Sequence, residues 1–277
     1  MAVLLGIAAA LTFGAADFIG GLATKRAGEV RVVLISQAIG SGLTMSLLYF
    51  FQGTGAVGPA LAWGLVAGLG GGAGVLMLYR GLSRGRMSVV APITGVEAAV
   101  VPVVFGLVAG ERPSIGATVG IALALAAVVL VSSSGSSASD NRRAGLPEAL
   151  GAGLAFGVFF IALERAGSDT GIWPLVGARI SSISLTLIVA AIARTKLKPP
   201  AGTMPAIAGA GVLDVTANLF YLVAVRQGFL SLVAVLTSMY PAATVALARV
   251  VLKERLAPLQ LAGFALALVA VILISVG

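Results

Sequence analysis

Long apolar segments, separated by short polar stretches, fill the chain from one end to the other. Each apolar segment is close to the ~20 residues that a helix needs to cross the hydrocarbon core of a bilayer. The pattern predicts ten helices, in chain order 3–22, 31–51, 60–79, 87–108, 114–133, 148–165, 172–193, 204–225, 229–250 and 258–276. One connection differs from the rest, because the Ser-rich stretch SSSGSSASDNRR (132–143) is typical of a flexible linker. The sequence therefore predicts an all-α membrane protein.

Composition narrows the class of protein further. Charged residues make up 10% of the chain, whereas a soluble domain carries roughly a quarter. The net charge of +8 does not predict a nucleic-acid partner, because the basic residues lie in short loops between apolar segments. Cysteine and histidine are both absent, which excludes disulfides and the common zinc sites. Nucleotide-binding and hydrolase motifs are also lacking, so we expect no catalytic residues, no metal and no cofactor.

The two halves of the chain are related in sequence. One ungapped shift, which places Glu111 on Glu254, aligns ERP (111–113) with ERL (254–256) and GIALALAAVVLVS (120–132) with GFALALVAVILIS (263–275). We therefore predict a first repeat over 1–133, a linker over 134–147 and a second repeat over 148–277. Each repeat holds five predicted helices, and an odd number requires the two repeats to have opposite orientations in the membrane.

The distribution of positive charge supports this inversion. The loops after predicted helices 1, 3, 5, 7 and 9 hold fourteen of the 18 Lys and Arg residues, and the loops after helices 2, 4, 6 and 8 hold three. Matched loops of the two repeats thus carry opposite charge bias. Because basic loops stay on the cytoplasmic side, we expect a plasma (inner) membrane protein with both termini on the outer side.

Four ionisable residues fall inside predicted membrane helices: Asp17, Glu97, Arg179 and Asp214. Each costs on the order of 3 kcal/mol at the centre of a membrane, so each is a candidate functional residue. Glu97 and Asp214 lie near the midpoints of helices 4 and 8 and are candidates for proton coupling. The alternative is structural, in which a paired acid fixes helix packing. Arg179 is either the counter-ion of an acid or the anchor of a substrate carboxylate.

Polar side chains recur at helical spacing beside these charges. Asn218 and Tyr221 share a helix face with Asp214, Gln37 begins a polar stripe on helix 2, and Tyr240 lies in a stripe on helix 9. One such stripe alone is often only interhelical hydrogen bonding. Several stripes together predict a shared polar cavity.

Prolines and glycines punctuate the predicted helices. Pro92 and Pro102 bracket the position that corresponds to Pro241 in the second repeat. Interrupted helices at matching positions of inverted repeats point to a site at the membrane midplane, so we predict that these prolines are hinges. Glycines repeat every fourth residue in GLVAGLGGGAG (64–74), which predicts a smooth face for close helix packing rather than a dinucleotide site.

Three stretches resemble the drug/metabolite transporter superfamily, and in particular its ten-helix EamA-type members. They are LTFGAADFIGGLATKR (11–26), GLSRGRMSVVAPITGVEAAVVPVVFGLVAGERPS (81–114) and SLVAVLTSMYPAATVALARVVLKERLAPLQLAGFALALVAVILI (231–274). The resemblance implies two inverted five-helix repeats around a central cavity, and the movement of small metabolites, often outward.

These observations lead us to expect a secondary transporter that exports small organic solutes by alternating access. Its partners would be a small-molecule substrate, protons and the lipid bilayer. Three acids against one arginine favour a cationic or zwitterionic solute. An uncoupled facilitator of the same fold is the first alternative, and a structural or receptor-like membrane protein without transport is the second. The sequence leaves monomer and homodimer equally open.

Overall fold

The computed structural model describes residues 1–84, 87–132, 145–252 and 258–276. Throughout these residues the regular secondary structure is α-helical. In chain order the helices are α1 (Ala2–Ala27), α2 (Glu29–Leu48), α3 (Val57–Arg84), α4 (Met87–Val108), α5 (Ile115–Ser132), α6 (Leu146–Arg165), α7 (Trp173–Ile192), α8 (Met204–Val225), α9 (Leu230–Thr237), α10 (Tyr240–Leu252) and α11 (Pro258–Val276). Most of the predicted linker lies outside the described residues.

The helices fit a multi-pass membrane protein. Six of them are long and apolar enough to cross a bilayer, namely Ala2–Ala27, Glu29–Leu48, Val57–Leu82, Leu146–Arg165, Trp173–Ile192 and Met204–Val225. Shorter apolar segments occupy the rest, at Ile93–Val108, Ile115–Leu130, Leu230–Thr244 and Leu261–Ile274. Ten crossings therefore stay a prediction.

Proline has different effects in the two repeats. The predicted ninth helix is divided into α9 and α10, with the break at Ser238–Met239. Pro241 lacks the N–H that would bond the carbonyl of Thr237, and α9 ends at Thr237 for that reason. The first repeat differs, because α4 runs without a break through Pro92 and Pro102. The predicted interruption is thus present in the second repeat, and its prediction for α4 of the first repeat is wrong. Movement at any of the three prolines stays a prediction.

The helices of each repeat pack mainly against helices of the other. The sequence repeat pairs α1 with α6, α2 with α7, α3 with α8, α4 with α9 and α10, and α5 with α11. Helix α3 packs on α6 and α7, and its counterpart α8 packs on α1 and α2. Helix α4 packs on α6, while α9 and α10 pack on α1, and α5 packs on α11. Exchanging the repeats leaves this pattern unchanged, as a two-fold relation between them requires.

Glycines set the close approach of α3 to α7. A Cβ atom at Gly64 would lie 3.0 Å from the Cα of Gly177, and one at Gly72 would lie 2.9 Å from the Cβ of Ser182. A Cβ at Gly68 would collide with the carbonyl of Ala178. The predicted packing role of this glycine stripe is therefore confirmed.

Hydrogen bonds join the two repeats at the loops that carry few charges. The backbone N–H groups of Thr54 and Gly55 donate to the Asp169 carbonyl, at 2.9 and 2.8 Å. Beside this contact, and within the second repeat, the Arg226 guanidinium donates to Gly171 O at 2.6 Å and to Thr170 Oγ1 at 3.0 Å. Burial lowers the pKa of Arg226, and nearby Asp169 opposes that shift.

A carboxylate fixes the start of α9 on the same face. Glu111, in the α4–α5 loop, accepts hydrogen bonds from the backbone N–H groups of Leu230 at 2.6 Å and Ser231 at 3.0 Å. A negative charge at a helix N-terminus also interacts favourably with the helix dipole. Glu111 of the first repeat therefore holds the helix that leads to the break before Tyr240.

Candidate functional site

A cavity near the middle of the helices is lined by residues of both repeats. It is partly open, and the empty space between its lining residues is about 640 Å³ when the open solvent at its mouth is included. Helices α1, α2, α3, α6, α7, α8 and α10 all contribute to its wall. The lining residues are Phe13, Asp17, Gln37, Gly68, Gly71, Gly72, Val75, Phe156, Phe159, Phe160, Leu175, Ala178, Arg179, Ser182, Asp214, Asn218 and Tyr240.

Arg179 is the centre of the polar part of this wall. Its Nη2 atom lies 2.6 Å from Asp214 Oδ2, and its Nη1 atom donates a hydrogen bond to Gln37 Oε1. The arginine is buried, with 7% of its surface exposed, and a buried charge requires such partners. Of the two roles expected for Arg179, the counter-ion role is therefore present, with Asp214 as the acid.

Asp17 is the other acid in the wall, and its situation is different. Its side chain is half-buried, and within the described part of the chain it has no hydrogen bond or ion pair. Asp214, Tyr79 and Tyr240 are within electrostatic reach of it. Since Arg179 forms its ion pair with Asp214, Asp17 is the acid of the described cavity wall that has no cationic partner.

Several polar atoms of the wall are buried without a hydrogen-bond partner among the described residues. They are Arg179 Nε, Ser182 Oγ, Asn218 Oδ1 and Tyr240 Oη. The Asn218 amide is held in place because its Nδ2 donates to the Asp214 carbonyl at 2.7 Å. Buried polar groups in native proteins are nearly always satisfied. A group of unsatisfied donors and acceptors around one cavity therefore indicates a place for water or a polar ligand.

Aromatic rings form another part of the wall. Phe159 and Phe160 have ring centroids 5.5 Å apart, and Phe160 lies 4.5 Å from the Tyr221 ring. Tyr221 is a predicted site residue on the face of Asp214, but it does not line the cavity. It is fully buried behind Phe160, where its hydroxyl donates to the Phe160 carbonyl at 3.1 Å. Its position supports the aromatic wall rather than a ligand.

Glu97 also lies outside the cavity lining. Its side chain faces α6, where a Cβ atom placed on Gly153 would lie 2.5 Å from Glu97 Cβ. Glu97 Oε2 is buried and has no hydrogen-bond partner among the described residues. The midpoint position of Glu97 indicates its depth along the helix, but depth does not determine the direction of the side chain. A role for Glu97 in transport stays a prediction.

Pro241 lies at a helix contact, outside the cavity lining. Pro241 is buried, and its Cγ would lie 3.0 Å from a Cβ placed on Gly95 of α4. Pro102 is buried within α4, and the side chain of Pro92 lies outside the described residues.

Sequence reasoning missed the aromatic wall. Its residues Phe156, Phe159 and Phe160 lie in an apolar segment, and phenylalanine in such a segment gives no sign of a functional role. The internal repeat held a signal, because Phe13 and Phe156 occupy equivalent positions of the two repeats and both line the cavity.

Apolar helices of membrane-spanning length around a charged, mid-depth cavity are typical of a membrane transporter. The comparison with known families agrees. The model of the EamA-like transporter family matches residues 1–133 and again 143–276. The chain therefore belongs to the EamA-like transporter family, whose members are membrane transporters of small solutes.

A solved structure described only as "Crystal structure of protein" has the same fold. It shares 16% sequence identity with the chain and has a TM-score of 0.80, over 99% of this chain and 96% of that one. At this level of identity the similarity establishes the fold alone. No curated protein matches the chain in sequence.

Proposed function

We propose that the protein is a secondary transporter that exports small organic solutes across the plasma membrane by alternating access. The observation that carries the proposal is the central cavity, which is built jointly by both repeats and holds an unpaired acid and unsatisfied polar atoms. A static helix bundle has no use for such a cavity, because each buried polar group without a partner destabilises it. Rocking of one repeat against the other would expose the cavity to each side in turn.

The proposal includes ten crossings in two inverted repeats, with both termini outside. The opposite charge bias of matched loops and the exchange pattern of helix contacts support this topology. A protease site added before Met1 tests it, because outside-added protease should then cut intact spheroplasts. Cleavage only after lysis would place the N-terminus inside and contradict the proposed orientation.

Proton coupling is the further part of the proposal. Asp17 and Asp214 line the cavity. Glu97 lies outside it and contacts α6, a helix whose phenylalanines form part of the cavity wall. A carboxyl group that can alternate between its protonated and charged forms is what coupling requires. The functional test uses proteoliposomes, after thermal-shift screening of amino acids, polyamines, sugars and quaternary amines identifies a solute that stabilises the protein. Flux of that radiolabelled solute is then measured with and without a pH gradient.

The outcomes separate the candidates. A proton-coupled transporter responds to the gradient and loses that response in Asp17→Asn, Asp214→Asn or Glu97→Gln. A facilitator gives flux that ignores the gradient in every variant. Binding without flux would contradict transport and favour a receptor-like protein.

A further inference from the structure

Two loops, one from each repeat, form a backbone clasp on the face whose loops carry few charges. Residues 51–55 precede α3, and residues 169–172 precede α7. In addition to the two bonds that the Asp169 carbonyl accepts, the backbone N–H of Ile172 donates to Phe51 O at 2.9 Å. Three backbone hydrogen bonds among the described residues thus join the repeats here, and we call these two segments the closed clasp.

Glycines make the contact in the closed clasp close. A Cβ atom at Gly53 would collide with the backbone N of Gly171, and one at Gly171 would collide with Phe51 O. Both glycines have positive φ, at 73° and 55°, which other residues rarely adopt. Arg226 adds a side-chain hydrogen bond to Gly171 O. Residues of both loops are therefore suited to this contact.

The internal repeat assigns a counterpart to the closed clasp on the opposite, basic face. The shift that aligns the repeats places residues 194–198 and 26–29, in that order, on the two segments of the closed clasp, so that Gly28 corresponds to Gly171. Gly28 has a similar φ of 80°, but a Cβ placed on it would meet no atom within 4 Å. Among the described residues no backbone hydrogen bond joins these two segments. We call them the open counterpart.

A contact on the two-fold axis lies between the two faces. Gly95 and Ser238 are equivalent residues of the repeats, and a Cβ at Gly95 would lie 3.2 Å from Ser238 O. Equivalent residues can meet only near the axis that relates them, and Gly95 is near the middle of α4. Rocking of the repeats about this contact would part the closed clasp while it brings the open counterpart together. The Arg31 side chain already spans the open counterpart, where its Nε donates to Lys196 O at 2.6 Å.

The closed clasp and the open counterpart differ in charge. The closed clasp contains one charged residue, Asp169, and Arg226 lies beside it as a counter-charge. The open counterpart holds four exposed basic residues and one acid, namely Arg26, Arg194, Lys196 and Lys198 with Glu29. Bringing its segments into backbone contact would bring like charges together, which is unfavourable unless the charges are paired or screened. This repulsion favours the arrangement that the structure has, in which the open counterpart is parted.

Exposed apolar residues place these basic residues at the surface of the bilayer. Ile192 at the end of α7 is 79% exposed, and Leu197, which stands between two of the lysines, is 50% exposed. Apolar side chains beside exposed basic ones suit a membrane surface, where anionic headgroups attract Lys and Arg. A soluble anion would pair the charges and leave the apolar side chains in water.

We propose that anionic lipid headgroups control the open counterpart. By neutralising its basic residues, the headgroups allow its two segments to meet, and the closed clasp then parts. The inference rests on the proposed function, because it concerns the two ends of an alternating-access movement. It adds a partner, the anionic membrane surface, and a reason why the two faces of a two-fold frame are not equivalent.

The experiment places cysteine pairs in this cysteine-free chain. The pair Thr54→Cys/Thr170→Cys lies in the closed clasp, where a Cβ at Gly55 would be 3.2 Å from the Thr170 side chain. The pair Leu197→Cys/Ala27→Cys occupies the equivalent positions of the open counterpart and removes none of its charges. The purified full chain is reconstituted into vesicles, and disulfide formation under copper phenanthroline is measured as loss of maleimide labelling.

Two vesicle compositions are compared, phosphatidylcholine alone and an equal mixture with phosphatidylglycerol. Both leaflets have the same composition, so the orientation of the protein does not affect the result. The anionic vesicles should speed cross-linking of Leu197→Cys/Ala27→Cys by roughly fivefold or more, the factor that one basic residue contributes at an anionic surface. They should slow cross-linking of Thr54→Cys/Thr170→Cys. Inorganic phosphate added to phosphatidylcholine vesicles should change neither rate to that extent.

Charge variants separate electrostatics from other effects of the lipid. Arg194→Gln/Lys198→Gln, added to the cysteine pair of the open counterpart, should speed cross-linking in phosphatidylcholine alone and reduce the effect of phosphatidylglycerol. Arg112→Gln removes an exposed basic residue of the other face and is the matched control, which should behave like the parent pair. Thermal unfolding shows whether each variant is folded. If a pair fails to fold, maleimide labelling of the single variant Thr54→Cys retains the test, and it should be faster in anionic vesicles.

Equal cross-linking of the open counterpart in both vesicle compositions would overturn the proposal. The same acceleration by inorganic phosphate would overturn the assignment to lipid, and simultaneous cross-linking of both pairs in one molecule would refute the exchange between the two faces. These outcomes differ from failure of the transport function. Solute flux without lipid-dependent cross-linking would refute the gate and leave transport intact. Lipid-dependent cross-linking in a protein that moves no solute would refute transport and keep the gate.

Discussion

Replacing Asp214 should destabilise the protein more than replacing Arg179, although both substitutions break the same ion pair. The two side chains differ in exposure, at 9% for Arg179 and 24% for Asp214. Breaking a buried pair costs about 3–5 kcal/mol, because one charge is left without compensation. Asp214→Asn leaves the more buried charge behind, with Gln37 as a neutral acceptor, and should lie at the upper end of that range. Arg179→Gln leaves a carboxylate that reaches the open cavity, and should lie at the lower end.

The double variant Arg179→Gln/Asp214→Asn removes both charges and should be less destabilised than Asp214→Asn alone. The assay is denaturant unfolding in detergent, followed by the fluorescence of Trp63 and Trp173. A control pair is Arg80 and Glu148, whose Nε and Oε1 atoms lie 3.7 Å apart and whose side chains are 52% and 19% exposed. Its coupling energy should stay below about 1 kcal/mol. Additivity of the Arg179 and Asp214 effects within about 0.5 kcal/mol would refute the reasoning.

Three further predictions concern the frame around the cavity. Gly14→Ala should destabilise the protein by about 1–3 kcal/mol, because the added Cβ would lie 2.5 Å from Ala243 Cβ. A Cβ at Gly209 would meet open space, so Gly209→Ala is the control and should be close to neutral in the same unfolding assay. Glu111→Gln should cost about 1–2 kcal/mol and speed hydrogen exchange of the first amides of α9; unchanged exchange would contradict its capping role. Arg226→Lys should loosen the loop contacts that Arg226 makes. Faster maleimide labelling of a cysteine introduced at Thr54, in this cysteine-free chain, checks that expectation, and an unchanged rate would contradict it.

The helices could be predicted from the sequence because a membrane imposes their length. A segment must stay apolar for about 20 residues to cross, so the predicted start and end of α4 and α8 agree with the structure to the residue. The divided helix was harder to predict. Pro241 and Pro102 both lack the backbone N–H that a helix needs. A helix ends one turn before Pro241, whereas α4 continues through Pro102. Whether a freed carbonyl finds another partner depends on neighbouring helices, which the sequence does not order in space.

The polar half of the site could be predicted because charges are expensive inside a membrane. Asp17, Arg179 and Asp214 stand out from an apolar background, and the structure brings all three to one cavity. Glu97 stands out equally and lies elsewhere, because α4 presents it to Gly153 of α6. The aromatic half could not be identified by the same means, since phenylalanine is ordinary in an apolar helix.

Three equivalent pairs that line the cavity differ in polarity, namely Asp17 with Phe160, Asp214 with Gly71 and Asn218 with Val75, and the difference has a physical reason. If Phe160 were an acid like its counterpart Asp17, and Gly71 an acid like Asp214, the cavity would hold two more negative charges in a setting of low dielectric constant. Each would cost on the order of 3 kcal/mol, and the acids would also repel one another across the site. A two-fold frame of helices tolerates duplication because its contacts are apolar and small, as at Gly14 against α10 and Gly157 against α4. A charged site does not tolerate it, and so the repeats share a backbone arrangement while only one member of each of these three pairs is polar.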